Sequence, residues 1–318
     1  MSILCTLLGV QTLAKWNMIF PEVDELRKVA YYAQDFAAMY IDINSKKTTC
    51  FRKYIDLCNH FRPYIRQMYI CATLGVILVS LLISVFTNTK ILAIGIVLPI
   101  LDYQSDLGYL INSALYAIIG TTGSYGLFTS DCLYLIAMAI AYGQVDAIAA
   151  ACDDLVEYLE INGPEDIPEI DTLISNIVKI HLSHKRYMNH LKKIFSLHSA
   201  TMVSISMICQ AITLFIVIKA QWSYGILMIG IFIWQIFTIC CFGGIYMIKL
   251  DKLQTVLYNT KWYLLPWPKQ KMLLYIIQNI QNTPEPRAVS IIPLNFRTFY
   301  DCMKTMYKLL MLLFNITN

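Results

Sequence analysis

The chain has 318 residues and a formal net charge of +4, with 57% hydrophobic and only 14% charged residues. That composition, with its positive mean hydropathy, is too apolar for a pair of soluble domains, and a small positive charge spread over separate loops is not a nucleic-acid surface. The reading it leaves is an all-α polytopic membrane helical bundle forming a single domain over residues 1–318.

The first apolar stretch, residues 3–20, is interrupted by Lys15 and shorter than the roughly 20 apolar residues of a bilayer span, so it reads as a partial span. It has no basic leader and no small-residue cleavage site, unlike a secretory signal. From Pro21 to Arg66 the charges are mixed and dense, as in a loop or a cytosolic helical segment. An uncharged span follows at about 69–86. A long helix is predicted from near Leu107 to about Glu160, with its membrane part at 112–140 and Gly120, Gly123 and Gly126 as weak points. Its last turns carry Asp146, Asp153, Asp154 and Glu157 after Gln144, so they leave the bilayer, and Asn162-Gly163-Pro164 ends the helix.

An amphipathic helix is expected between Ile167 and Leu197, then spans at 198–218 and 224–248. The linker Lys219–Ser223 is short enough to demand an antiparallel hairpin. Next comes an amphipathic helix with Leu273, Leu274, Ile277 and Ile280 at helical spacing and Lys269, Lys271, Gln278 and Gln281 on other faces. Pro284 and Pro286 stop it, because proline lacks an amide donor and restricts the residue before it. A terminal span is expected at 290–314. Lys and Arg gather in residues 15–66, 179–193 and 249–287, while the alternate loops hold only Lys90 and Lys219. The positive-inside rule then makes the first set cytoplasmic, with a cytosolic helical anchor region over 145–197 and 250–283 and an extracellular C-terminus.

Enzyme chemistry has nothing to rest on. No HExxH, GxSxG, Walker loop or GxGxxG is present, and His181, His184, His190 and His198 lack metal-site spacing and read as solvated helix histidines. No metal and no cofactor is expected. The ten cysteines include no CxxC pair, and Cys71, Cys132, Cys209, Cys240, Cys241 and Cys302 fall in apolar helices, where they act as small hydrophobes. Asp131 is a carboxylate inside an apolar segment, which suits either a polar lining of a ligand or ion path or a hydrogen bond to a neighbouring helix. In the last span Asp301, Thr305, Lys308, Leu312 and Asn315 repeat at spacings of four and three, a polar face that belongs against water rather than lipid. Asn315-Ile316-Thr317 is a glycosylation sequon so close to the membrane that it is expected to stay unused.

Tyr258 four residues before Trp262-Tyr263, then Lys271, Leu273-Leu274, Gln281 and Pro284, and finally Phe299, Lys304, Tyr307 and Leu310 resemble the C-terminal signature of insect odorant receptors. The likeness runs back through His181, the Gln144–Leu159 segment and Asp131, and departs from the family at Lys308, where Ser is frequent. The resemblance implies a bundle of seven-transmembrane type with inverted topology, here lacking the first span and part of the second. It implies a tuning subunit of a heteromeric ligand-gated non-selective cation channel, partnered with an odorant co-receptor subunit in a heterotetramer. The setting it implies is the plasma membrane of an olfactory sensory neuron dendrite. A small volatile ligand would be held by Leu82, Ile83, Phe86, Tyr109, Asn112, Tyr116, Ile119, Tyr224, Met228 and Phe232. The pore and gate would be formed by Asp301, Thr305, Lys308, Met311, Leu312 and Asn315, with Tyr258, Trp262, Tyr263, Leu273, Leu274 and Gln281 anchoring subunits together. The alternatives are an N-terminally truncated nonfunctional odorant receptor and a gustatory-receptor relative, though Thr305-Met306-Tyr307-Lys308 does not fit the latter's terminal motif.

Overall fold

The computed structural model describes residues 23–41, 46–87, 104–165, 167–220, 225–283, 286–289 and 292–317, together with 9, 13, 90, 92 and 102. The expected partial span at 3–20 lies almost wholly outside these residues, and Tyr224 lies outside them too. In chain order the elements are α1 (Val23–Ile41), α2 (Lys46–Thr87), α3 (Asp106–Asn162), α4 (Ile167–Ala220), α5 (Gly225–Tyr258), a 3-10 turn at Trp262–Leu264, α6 (Trp267–Gln281), strands β1 (Arg287–Ala288) and β2 (Ile292–Pro293), and α7 (Phe296–Thr317). Among the described residues, α2, α3, α4 and α5 are long and apolar enough to cross a membrane.

The central element is α3. It starts where Ser105, in extended conformation, caps the helix: its Oγ accepts the Gly108 N–H at 3.0 Å, and Asp106 places negative charge in the first turn. It ends where Gly163 takes a left-handed φ of 72°, which glycine adopts without steric cost, and bonds its N–H to Leu159 O at 3.2 Å. Its 57 residues make a rod of about 85 Å at about 1.5 Å per residue, against about 30 Å of bilayer hydrocarbon. A large part of α3 must therefore project beyond the lipid, and α4 and α5 project beside it. Pro63 sits within α2, which runs on through it; the missing donor leaves one turn of that helix without its backbone bond.

The core is continuous along the projecting half. Met138, Ala141, Ile148, Cys152 and Leu155 of α3 are fully enclosed against Ile170, Ile174, Ile177 and Tyr187 of α4 and Tyr246, Leu253 and Leu257 of α5. Tyr187 Oη donates to Ala137 O at 2.8 Å, crossing from α4 to α3. The segments expected as an amphipathic helix and a separate span, 167–197 and 198–218, are one unbroken helix. Burial on α6 falls on Leu273, Ile276 and Ile280, while Leu274, expected on the same face, points outward because it lies a further 100° around the helix. The basic residues of α6 do find other work: Lys269 pairs with Asp171 of α4.

The last helix begins at Phe296 rather than at 290, because the preceding residues form a small antiparallel hairpin pairing Arg287 with Pro293 and Ala288 with Ile292. Val289 N–H donates to Ser196 O at 3.1 Å, tying the hairpin to α4. Gly243 and Gly244 of α5 let this region come close: a Cβ on Gly243 would meet Leu294 O at 2.1 Å, and one on Gly244 the Phe296 ring at 2.8 Å. At the other edge α1 is held on α4 by Glu25, whose carboxylate accepts from His190 Nδ1 at 2.7 Å and Lys193 Nζ at 3.2 Å, while Tyr32 stacks on the His190 ring.

Candidate ligand chamber, pore face and anchor

Polar groups within apolar helices are costly unless they pair, and this bundle pairs them across helices. Tyr69 Oη of α2 donates to Asp131 Oδ2 of α3, so Asp131 makes the helix-to-helix hydrogen bond that was one of its two readings. Thr73 and Ser124 share a hydroxyl contact at the next level of the same interface. Ser130 Oγ lies 2.6 Å from His198 Nε2, and Ser206 Oγ donates to Gln235 Oε1 at 3.0 Å. His184 Nδ1 donates to Gln144 Oε1 at 2.8 Å, and its Nε2 accepts from Tyr246 Oη at 3.0 Å, since an amide oxygen can only accept. His181, His184 and His198 are buried, which corrects the expectation of solvated histidines. The reason is tertiary: the side of α4 that meets α3 and α5 is covered, and His184 and His198 bond across it, while Leu182, Lys185 and Arg186 on the opposite side stay exposed.

Of the ten residues expected to hold a ligand, the nine that are described do not share one enclosed space. Phe232 is buried with Val76 and Cys209, and Ile83 and Met228 pack against that cluster between α2, α4 and α5. Tyr109 Oη donates to Ser84 Oγ at 2.8 Å, bridging α3 and α2, while Asn112, one turn on and buried, donates to Gly108 O at 2.8 Å. Tyr116 is buried further along α3. Leu82, Phe86 and Ile119 instead lie on the exposed surface of the bundle.

A cavity of about 330 Å³ lies between α2, α3 and α5, lined by residues including Leu57, Phe61, Ile65, Leu135, Trp234 and Phe242. None of the nine described residues of the expected ligand set lines it. Its signal in the sequence was Leu57, Phe61 and Ile65 at four-residue intervals, hidden within a stretch whose charges suggest a loop or cytosolic segment.

On α7 the structure separates two faces. Thr298, Cys302 and Leu310 are buried, and Cys302 packs with Val203, Ile236 and Cys240. Asp301, Thr305, Lys308, Met311, Leu312 and Asn315 all lie on the exposed side, with Leu312 55% exposed. The six residues expected at a pore are thus brought together along one unpartnered face. The expected anchor residues divide. Leu273 belongs to the core of its own chain, and Trp262 packs partly against that core. Tyr258, Tyr263, Leu274 and Gln281 are exposed, beside Trp267 at 65% and Tyr275 at 68% exposure, which the sequence reading did not single out.

A bundle of long membrane-crossing helices, extended past the lipid into a packed helical base and closed by an amphipathic terminal helix, is a polytopic helical membrane protein, and among the described residues no three His, Cys, Asp or Glu side chains gather as a metal site would need. The 7tm Odorant receptor family model matches residues 29–307, and the chain belongs to that family. The insect olfactory receptor OR5 from Machilis hrabei has the same fold: TM-score 0.76 at 13% identity, over 99% of this chain and 80% of that one. The same receptor in complex with eugenol superposes with TM-score 0.77, again at 13% identity and with the same coverage of both chains. The protein is therefore a multi-pass membrane odorant receptor.

Proposed function

We propose that the chain is an odorant-binding tuning subunit of a heteromeric, ligand-gated, non-selective cation channel, assembled with an odorant co-receptor subunit in a tetramer. The observation that carries this is the terminal helix: one face is packed into the bundle, and the other presents Asp301, Thr305, Lys308, Met311, Leu312 and Asn315, exposed and uncovered by the described residues of its own chain. Polar residues recurring on one exposed face of a membrane helix belong against water, which a central pore shared between subunits provides. Leu312 would be the hydrophobic gate, and Asn315 a polar ring beyond it. The aromatic surface of Tyr258, Tyr263, Trp267 and Tyr275 would hold subunits together in the cytosol.

The basic clusters support a cytoplasmic base and an extracellular C-terminus; membership of the family supports a setting in the plasma membrane of an olfactory neuron dendrite. The ligand would be a small volatile organic molecule in the outer half of the bundle, around Ile83, Tyr109, Asn112, Tyr116, Met228 and Phe232; the eugenol complex of the Machilis receptor supports ligand binding by this fold. Binding opens the pore to the extent that the ligand has higher affinity for the open arrangement of the α7 helices.

The test is whole-cell current with and without an insect odorant co-receptor, against a broad panel of volatiles. Odorant-evoked current that needs both chains, and whose ion permeability changes with Leu312→Ala, is the expected result. Surface expression with the co-receptor but silence across the panel would overturn the proposal.

A further inference from the structure

We infer that the 330 Å³ cavity between α2, α3 and α5 is a binding site for one acyl chain of an anionic phospholipid, drawn from the leaflet on the side of the projecting base, with Arg62 on the lipid phosphate. The inference rests on the topology proposed above only in naming that leaflet cytoplasmic.

Its level in the membrane follows from its neighbours. The cavity reaches Tyr54, Tyr142 and Ile245, next to the point where α3 and α5 leave the lipid with Asp146 and Lys249. Its mouth is lateral, because lining residues Leu57, Phe61, Ile136 and Phe237 are themselves exposed on the outer surface of the bundle. An apolar space opening onto a bilayer does not fill with water, which needs polar partners to be held. Hydrocarbon is the material at hand.

The polar groups around the cavity narrow the occupant further. Tyr142 Oη already donates to Phe242 O at 2.5 Å, and Thr238 Oγ1 to Trp234 O at 2.7 Å. The base is closed by Asp146, which takes Tyr54 Oη at 2.5 Å and Lys249 Nζ at 2.6 Å, the ammonium lying 4.8 Å from the Tyr54 ring centre. These groups are spent on one another, so the walls ask a ligand for hydrocarbon contact and not for hydrogen bonds. Arg62 is different. It lines the cavity and is exposed, and among the described residues no carboxylate pairs with it. Tyr54 pairs with Asp146 and Tyr69 with Asp131, so Arg62 stands about two turns inside the level at which α3 leaves the lipid; its long side chain can reach back to the surface, where a guanidinium matches a phosphodiester, and anionic lipids are concentrated in the cytoplasmic leaflet. The site also has a route to the pore, since the wall residue Phe237 packs edge-on against Phe299 of α7, ring centres 5.5 Å apart.

The experiment uses the full chain, co-expressed with co-receptor and reconstituted in nanodiscs. A phosphatidylserine and a phosphatidylcholine carrying the same mid-chain photoreactive diazirine are compared, and the crosslinked peptides are mapped. The expected result is labelling of residues 54–65, 132–142 and 234–245, stronger for phosphatidylserine. Arg62→Gln should reduce that preference by about tenfold, the scale of one charge-assisted hydrogen bond. Leu57→Trp, which puts bulk into the mouth from an exposed position, should reduce labelling by both lipids. Unchanged melting and elution of each variant separates lost binding from misfolding. Equal labelling by the two lipids that Arg62→Gln leaves unaltered would overturn the inference, as would labels mapping elsewhere. So would displacement by volatile ligands, which would make the cavity the odorant site, or loss of labelling in a chain extended at its N-terminus, which would mean protein covers the groove. None of these readouts is a current, so failure here leaves the channel proposal to its own test.

Discussion

Replacing His184 by leucine should unfasten the helical base without altering its shape. The imidazole is buried and bridges three helices, donating to Gln144 on α3 at 2.8 Å and accepting from Tyr246 on α5 at 3.0 Å. Leucine fills a similar volume but leaves a buried amide oxygen and a buried phenol without their partner. At about 1–3 kcal/mol for each orphaned group, the loss is about 2–6 kcal/mol. At about 2.1 cal/mol/K of unfolding entropy per residue, 318 residues give about 1.5 °C per kcal/mol, so the apparent melting temperature should fall by about 3–9 °C. The assay is thermal unfolding of detergent-solubilised protein followed by fluorescence-detected size exclusion. The decisive companion is the triple variant Gln144→Leu/His184→Leu/Tyr246→Phe, which removes both ends of each bond. It should recover most of the loss, since deleting both partners of a buried hydrogen bond is close to neutral. A single variant that melts with the wild type, or a triple variant worse than the single, would refute the reasoning.

Gly243→Ala should displace the β2–α7 junction, because its Cβ would stand 2.1 Å from the Leu294 carbonyl oxygen. The expected cost is about 1–3 kcal/mol, read as a lower melting temperature, with loss of evoked current in the co-expressed channel. Trp267→Ala with Tyr275→Ala should lower the tetramer fraction on native gels while leaving the melting of the single chain unchanged, since both side chains are mostly exposed. Docking of α1 should be acid-sensitive. Hydrogen bonds from Lys28, His190 and Lys193 hold the Glu25 carboxyl at about 2, below its ordinary 4.5. A depressed carboxylate value means the stabilisation is present above about 4.5 and is lost as pH falls towards 2. Pepsin cleavage between α1 and α2 should therefore rise across that window, and Glu25→Gln should cleave at the upper end of the window as readily as the wild type does at the lower.

Membrane class, the long α3 helix and its C-terminal end were legible in the sequence because each rests on a local property, whereas the continuity of α4 and the starts of α2 and α7 were not. Twenty apolar residues in a row can satisfy their backbone in lipid only as a helix, and Ser105, Gly163 and the prolines at 284 and 286 act on the chain next to them. The face of α7 was legible for the same reason: a repeat of four and three fixes which side chains share a side, whatever the helix packs against. Burial was another matter. His181, His184 and His198 sit on a helix whose charges suggest solvent, and only the neighbouring α3 and α5 make them interior. Leu82, Phe86 and Ile119 lie on the outer surface because position along a helix does not say which way a residue faces; rotation about the helix axis does. The cavity on α2, α3 and α5 draws its walls from residues up to 191 positions apart, Tyr54 to Ile245. By itself the sequence determined that this chain is a membrane bundle with an amphipathic terminal helix, since hydropathy and periodicity act within a few turns. Only the tertiary structure decided which faces meet and what they enclose, because those contacts are set by how separate helices turn and lean on one another.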